Sequence, residues 1–269
     1  MKESISSTSN PRVKELVKLR ESSRYRRKRK LFVIEGFEDF ECILKYGKVI
    51  LDMFYCSSII EKSGNNKKLE YLKDFKINLI ELSEEAFLKA SYRKNSDGFL
   101  SLAKQWSLEL EDIDLVKDDI CVVLDGIEKP GNLGAIIRSM EAMGIKSLIL
   151  SDAYVDLFNP NVVRSSRGLL SGVQVGRGTK EEVHSLLQKY GFSIFGTCGS
   201  GKNILWDHAF STKTALIFGS EKKGLDNFWK KNINIFLKIP MYGRADSLNL
   251  HASVACTLFE FNKQTRQRY

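Results

Sequence analysis

The chain has 269 residues, 43% of them hydrophobic, and its 42 lysines and arginines against 33 acidic residues give a formal net charge of +9. This length suggests two domains or one large one, and this hydrophobic content excludes a disordered or collagen-like chain. The apolar runs are short, as at 121–124, and none approaches the roughly 20 residues of a membrane span. Residues 1–10 lack the apolar core of a secretory signal, so we expect a cytoplasmic protein.

Cysteine and histidine are scattered along the chain. The five cysteines form no C-x-x-C pair, and their odd number is typical of reduced cytosolic thiols rather than a disulfide framework. The three histidines, His184, His208 and His251, are far apart in sequence. We therefore expect no metal centre.

The positive charge is concentrated at the N-terminus. Residues 1–30 hold eleven basic and three acidic residues, a net charge of +8, and RYRRKRK at 24–30 is the densest part. Such a run favours contact with the phosphates of a polyanion, whereas a solvated basic surface or contact with anionic lipid is the alternative. The candidate phosphate-binding residues are Arg24, Arg26, Arg27, Lys28, Arg29 and Lys30.

The first hundred residues alternate between predicted helices and strands. We predict helices over 10–21 with Asn10 as its cap, over 37–47, and after Ser83. The predicted strands are 30–36, 49–57, 77–83 and 98–106. This alternation predicts a small α/β domain over residues 1–106.

A second alternation follows an acidic, turn-rich segment at 107–118, which we predict to be a linker. Several of the later strands are apolar throughout, as parallel strands covered on both faces tend to be. The predicted strands are 120–126, 146–152, 191–197, 214–220 and 233–240, and the predicted helices are 133–143, 161–168, 180–190, 225–231 and 249–264. The expected second domain, 119–269, is therefore α/β with a largely parallel sheet.

Three segments of this second domain run from a strand into glycine and polar residues: 124–144, 216–228 and 239–260. In an open parallel sheet, ligands bind just beyond the carboxyl ends of the strands. We therefore expect convergence of five side chains, Asn132, Arg138, Glu221, Ser247 and Asn249. The alternative for Asn132 and Ser247 is helix capping, and for Arg138 a surface ion pair with Glu141.

One loop, GTCGSGKN at 196–203, nearly matches the phosphate-binding loop G-x-x-x-x-G-K-[ST]. Asn203 stands where a hydroxyl would bind magnesium, and the residues that follow are a poor start for a long helix. A nucleotide hydrolase is therefore a minor alternative.

Read in order, the three polar segments resemble a known motif set. PGNLGAIIRS (130–139), FGSEKKGL (218–225) and IPMYGRADSLNL (239–250) resemble motifs 1, 2 and 3 of the SpoU (TrmH-type) RNA ribose 2′-O-methyltransferases, within the SPOUT class. NPNVVRSSRG (159–168) is similar to the family's segment between motifs 1 and 2. Residues 9–36 are similar to the start of the RNA-binding substrate domain in two-domain members.

The resemblance implies a fold, a cofactor and partners. The C-terminal domain would carry a deep trefoil knot, S-adenosylmethionine would bind in it, and the protein would act on RNA as a homodimer. It implies that the run at 24–30 contacts RNA. The implied cofactor-binding residues are Thr197, Gly219, Ile239, Ser247, Leu248 and Asn249.

The resemblance also implies methyl transfer to a ribose 2′-hydroxyl, with Arg138 at its centre. Because arginine is effectively always protonated, Arg138 either clamps a phosphate and stabilises the alkoxide or acts as base only in a special site. We expect Asn132 to orient Arg138 or the ribose, and Glu221 to pair with Arg138 or bind substrate. Ser247 and Asn249 would hold the donor and the hydroxyl.

The leading hypothesis is thus an S-adenosylmethionine-dependent RNA 2′-O-methyltransferase. The two-domain layout favours ribosomal RNA as the substrate. A tRNA 2′-O-methyltransferase and a non-catalytic RNA-binding protein are the alternatives.

Overall fold

The computed structural model describes residues 3–93, 95–210 and 213–266. Its strands, in chain order, are Glu3–Ile5 (β1), Leu31–Glu35 (β2), Ile50–Tyr55 (β3), Asn78–Leu82 (β4), Phe99–Lys104 (β5), Ile120–Asp125 (β6), Ser147–Ser151 (β7), Gln174–Gly178 (β8), Ser193–Thr197 (β9), Asn203–Ile204 (β10), Thr214–Phe218 (β11) and Ile235–Lys238 (β12). Its helices are Pro11–Glu21 (α1), Ser23–Arg29 (α2), Phe37–Lys45 (α3), Ser57–Lys62 (α4), Asn66–Leu72 (α5), Glu84–Ala90 (α6), Pro130–Ala142 (α7), Pro160–Ser166 (α8), Lys180–Lys189 (α9), Asn227–Asn232 (α10) and Leu250–Thr265 (α11). None of these described helices is long and apolar enough to cross a bilayer.

The chain divides into two compact units that are not continuous in sequence. The first comprises the residues up to Trp106 together with Asp156–Ser171, and the second comprises Ser107–Val155 and the residues from Gly172 onward. The sequence-based boundaries placed Asp156–Ser171 in the second domain. In the structure this segment, which carries α8, belongs to the first unit.

The first unit is built on a five-stranded mixed sheet in the order β1-β4-β3-β5-β2. β5 runs antiparallel to both of its neighbours, and the other pairs are parallel. Helix α1 begins where the sequence predicts, because the Asn10 side chain accepts a hydrogen bond of 2.9 Å from the backbone N–H of Arg12. Val13, Leu16 and Leu19 on one face of α1 are buried in the core of this unit.

The second unit contains a seven-stranded sheet in the order β10-β12-β9-β11-β6-β7-β8, and every strand pair is parallel. This confirms the predicted α/β class with a largely parallel sheet. Strands β6, β7 and β11 are buried along their whole length, as their continuous apolar sequences require. The trefoil knot stays a prediction that the resemblance implies.

Residues 107–118 are not a free linker. Leu110, Ile113 and Leu115 are buried in the core of the second unit, so their contribution is hydrophobic despite the acidic residues between them. Leu110 and Ile113 cover β8, where a Cβ added at Gly176 would lie 2.8 Å from Ile113 Cδ1. The glycines that make this close approach possible have no apolar side chains, so a strand prediction based on apolar pattern does not detect β8.

Candidate active site

The polar side chains of the three segments meet at one end of the parallel sheet. Asn132 Nδ2 in the first turn of α7 donates a hydrogen bond of 2.6 Å to Glu221 Oε1, in the turn after β11. Asn249 Nδ2 donates to Asn132 Oδ1 over 3.4 Å. Asn249 Oδ1 also accepts from the backbone N–H of His251 at 2.9 Å, which caps α11. The structure thus joins one residue from each motif-like segment.

A tight turn holds Glu221 in place. The backbone N–H of Gly224 donates to the carbonyl of Ser220 at 2.9 Å, and Gly224 has a φ of +63°, a conformation that favours glycine. A Cβ added at Gly219 would lie 2.1 Å from the carbonyl carbon of Gly224. The absence of a side chain at Gly219 therefore allows the turn to pack closely against the end of β11.

Arg138 is exposed on α7. With 3.6 residues per turn, it lies about 120° around the helix axis from Asn132. Within the described residues, no hydrogen bond or ion pair joins Arg138 to Glu221 or to Asn132. The carboxylate of Glu221 is oriented by an amide instead, which leaves the guanidinium of Arg138 open to a ligand.

A small cleft of about 110 Å³ lies at the carboxyl ends of β9 and β12. It is lined by Thr197, Cys198, Gly199, Leu237, Ile239, Met241, Asp246, Ser247, Leu248 and Ser253. Thr197, Ile239, Ser247 and Leu248 are among the expected cofactor-binding residues, whereas Gly219 and Asn249 do not line it.

The sequence interpretation missed Cys198, Met241 and Asp246, which lie beside predicted residues in the same two loops. The loop 196–203 forms one wall of the cleft. It is followed by β10 and a 3-10 turn over Leu205–Asp207 rather than by a helix. The loop therefore lacks the helix N-terminus that a phosphate-binding loop uses to hold the phosphates, which counts against the nucleotide-hydrolase alternative.

The three histidines have separate surroundings. His184 lies edge-on to Phe228 and Trp229, and His208 packs against Phe195. His251 Nε2 is 2.9 Å from the hydroxyl oxygen of Ser139, and this contact ties α11 to α7. Over the described ranges, no group of three or more His, Cys, Asp or Glu side chains is arranged to hold a metal ion.

The basic run forms helix α2, and burial divides its side chains. Arg26 is only 1% exposed. Its guanidinium pairs with Asp156 Oδ2 at 2.7 Å and donates to the carbonyls of Leu19 and Arg20 at the end of α1. The prediction that Arg26 contacts RNA is therefore wrong. The remaining residues of the set are exposed, namely Arg24, Arg27, Lys28, Arg29 and Lys30.

An all-parallel sheet with a cleft and converging polar side chains at its carboxyl edge defines an α/β protein of the kind that binds ligands beyond its strand ends. The sequence matches the SpoU rRNA Methylase family over residues 119–259 and the MRM3-like substrate binding domain over residues 10–101. The chain belongs to the SpoU rRNA Methylase family and is a methyltransferase.

Relatives and solved structures match over nearly the whole chain. The 23S rRNA (guanosine(2553)-2′-O)-methyltransferase RlmP of Bacillus subtilis is 26% identical over 255 residues, covering 95% of this chain and 97% of its own. A crystal structure of an RNA 2′-O ribose methyltransferase is 30% identical with a TM-score of 0.83, covering 97% and 98% of the two chains. The SpoU methyltransferase AviRb from Streptomyces viridochromogenes, solved with AdoMet, is 25% identical with a TM-score of 0.85, covering 95% and 98%.

Proposed function

We propose that the protein transfers a methyl group from S-adenosylmethionine to a ribose 2′-hydroxyl of RNA, with ribosomal RNA as the substrate. The observation that carries this proposal is the hydrogen-bonded chain Asn249–Asn132–Glu221, which links the three motif-like segments. RlmP is named as a 23S rRNA methyltransferase, and the matched family is described as an rRNA methylase family, which supports ribosomal RNA over tRNA.

The side chains around the small cleft at the ends of β9 and β12 suit S-adenosylmethionine in their chemistry. Thr197 and Ser247 offer hydroxyls, Ile239 and Leu248 offer apolar surface, and the Asp246 carboxylate suits a cationic ligand. When bound, S-adenosylmethionine supplies an electrophilic methyl group on its sulfonium. The AdoMet complex of AviRb, whose fold this chain shares, supports the same ligand here.

The chain's own residues would prepare the ribose hydroxyl, which is a weak nucleophile until it loses its proton. Glu221, fixed by Asn132, would accept a hydrogen bond from that hydroxyl and take its proton as the methyl group is transferred from the sulfonium. Arg138 would clamp a neighbouring phosphate and stabilise the developing alkoxide, because a guanidinium offers several donors and keeps its charge. Ser247 and Asn249 would position the donor and the hydroxyl.

Replacement of Arg138 tests this assignment. Arg138→Ala should lower methylation of an unmodified 23S ribosomal RNA transcript by about 100-fold or more, the usual loss for one donor to a developing oxyanion. Calorimetry should show unchanged S-adenosylmethionine binding. Arg138→Lys should recover little, because lysine lacks the planar fork. Lys230→Ala on α10 is the matched surface control, and full activity of Arg138→Ala would remove Arg138 from the mechanism.

We also propose that the protein acts as a homodimer in the cytoplasm, as the family resemblance implies. Phe259 on α11 is 66% exposed, and an aromatic ring at that exposure suits a subunit interface. Sedimentation equilibrium measures the mass of the assembly directly.

A further inference from the structure

A second and larger cleft opens in the same unit, beyond the carboxyl ends of β6, β7 and β8. Its volume is about 800 Å³. It shares no lining residue with the cleft proposed for S-adenosylmethionine. The residues that matter for its chemistry are Asp125, Asp152, Tyr154, Lys180, Lys222 and Lys223.

The turn that carries Glu221 connects this cleft to the candidate catalytic centre. Glu221 reaches Asn132, whereas Ser220, Lys222 and Lys223 line the large cleft. Consecutive Cα atoms are 3.8 Å apart, so the backbones of Lys222 and Lys223 lie one and two residues from that of Glu221. The large cleft is therefore close enough to take a neighbouring unit of a chain molecule whose reacting group is at Glu221.

Charge divides the cleft into a floor and a rim. On the floor, Asp125 accepts a hydrogen bond from Ser151 at 2.9 Å. Lys180 is held between Asp226 at 2.5 Å and Asp152 at 3.5 Å. The charge of Lys180 is thus balanced by two carboxylates, and Arg177, which also lines the cleft, donates to the carbonyl of Ala153. The floor therefore offers carboxylate oxygens to the N–H groups of a nucleobase edge.

The rim has the opposite character. The side chain of Lys222 is 76% exposed and is 3.5 Å from Glu128, a separation at which an exposed ion pair is weak. Lys223 is also exposed. Tyr154, which follows β7, is 83% exposed and presents an aromatic face of the kind on which unpaired bases stack.

We propose that this cleft binds an unpaired nucleotide next to the methylated ribose. Its base stacks on Tyr154 with its edge toward the acidic floor, and its phosphate lies between Lys222 and Lys223. The cleft thus binds the RNA strand beside the target. This proposal rests on the proposed function and adds a second RNA site to it.

Substitution of Tyr154 tests the proposal by kinetics on unmodified 23S ribosomal RNA transcript. Tyr154→Ala should raise KM for RNA about 5- to 150-fold, the range for loss of one stacked base, and leave kcat and S-adenosylmethionine affinity unchanged. Tyr154→Phe should keep the parent KM because it keeps the ring. Because Tyr154 is exposed, the circular dichroism spectra of both variants should match the parent spectrum, and a match excludes a folding defect as the cause of a changed KM.

Charge at the rim is tested separately. The double variant Lys222→Ala/Lys223→Ala should weaken RNA binding and reduce its dependence on salt, because two phosphate contacts are lost. The matched control is Lys230→Ala/Lys231→Ala on α10, which removes the same charge outside the cleft. Equal salt slopes for the two double variants would overturn the lysine assignment.

Once the methylated nucleotide is mapped, an abasic site on either side of it completes a double-mutant cycle with Tyr154. One of the two abasic RNAs should raise KM for the parent protein but not raise it further for Tyr154→Ala. Additive effects at both positions, or an unchanged KM for Tyr154→Ala, would overturn the assignment of this cleft as a nucleotide site. Methylation by the parent would in that case still support the proposed function. Binding of S-adenosylmethionine without methylation of any RNA would overturn both.

Discussion

At the scale of single side chains, neighbouring residues of the same type differ in burial and therefore in role. Arg26 and Arg27 are adjacent, yet Arg26 is enclosed with Asp156 and the end of α1 whereas Arg27 is exposed. A buried guanidinium without its partner would be costly, so Arg26 contributes to the folded state rather than to RNA binding. Charge counting along the sequence assigns both residues the same role.

Asp39 gives a pH dependence that belongs to the same scale. Burial raises the pKa of Asp39 to about 6, even though Arg93 donates a hydrogen bond of 2.7 Å to its carboxylate. Between pH 4 and 6 the folded protein therefore holds a proton that the unfolded chain releases. Stability from this group is complete below the ordinary pKa of 3.8 and is lost as pH rises through about 6.

We expect Asp39→Asn to remove this contribution, since asparagine does not titrate. Between pH 4 and pH 7 the free energy of unfolding of the parent, measured with urea, should fall by up to about 3 kcal/mol more than that of the variant, given 1.36 kcal/mol per pKa unit. Glu38→Gln, an exposed neighbour on α3 that pairs with Arg167, is the control. Parallel pH curves for the parent and Asp39→Asn would contradict the raised pKa.

At the scale of elements, helix α2 is the candidate RNA contact. Replacing Arg24, Arg27 and Lys28 with alanine removes three exposed charges and keeps a good helix former at each position. We expect weaker RNA binding, with a log–log salt slope shallower by about 2, since each phosphate contact contributes roughly 0.7–0.9.

The control for α2 removes three exposed lysines from the other helices of the same unit or their ends, Lys62, Lys67 and Lys73. Filter binding at several salt concentrations compares the two triple variants. If both flatten the slope equally, RNA responds to net charge alone and α2 is not its contact.

Local signals explain which elements the sequence predicts well. Asn10 and Ser83 mark helix starts because a side-chain oxygen satisfies a free backbone N–H, and both caps are present in the structure. Strand β8 was missed because Gly176 carries no side chain to show a pattern. Helix α2 was missed because a run of charges carries no apolar period.

The candidate site was predictable to the level of its segments, since each one follows a strand end of a parallel sheet. The hydrogen-bond partners within the site were not predictable from the sequence. Whether Glu221 meets Arg138 or Asn132 depends on the rotation of α7 about its axis, which motif spacing does not specify. Likewise, the cleft beside Tyr154 is formed by four separate loops that no single motif contains.

At the scale of the whole molecule, the first unit is completed by a segment that follows it by fifty residues in the chain. Phe158 lies with its ring centroid 5.0 Å from that of Phe32 and 4.8 Å from that of Trp106. A Cβ added at Gly168 would lie 2.6 Å from the carbonyl oxygen of Asp39. Asp156–Ser171 is therefore part of the core of this unit.

Residues 1–106 expressed alone should consequently be less stable than the same residues joined to 156–171 by a glycine–serine linker. Without the segment, Arg26 loses Asp156 and Phe32 loses Phe158, and removal of one partner from a buried ion pair costs about 3–5 kcal/mol. Urea unfolding followed by circular dichroism measures the difference. A joined form with Asp156→Asn separates the ion pair from the aromatic contacts, because it keeps Phe158 while it removes the charge. Equal urea midpoints for 1–106 and the joined form would mean that Asp156–Ser171 adds nothing to the stability of the first unit.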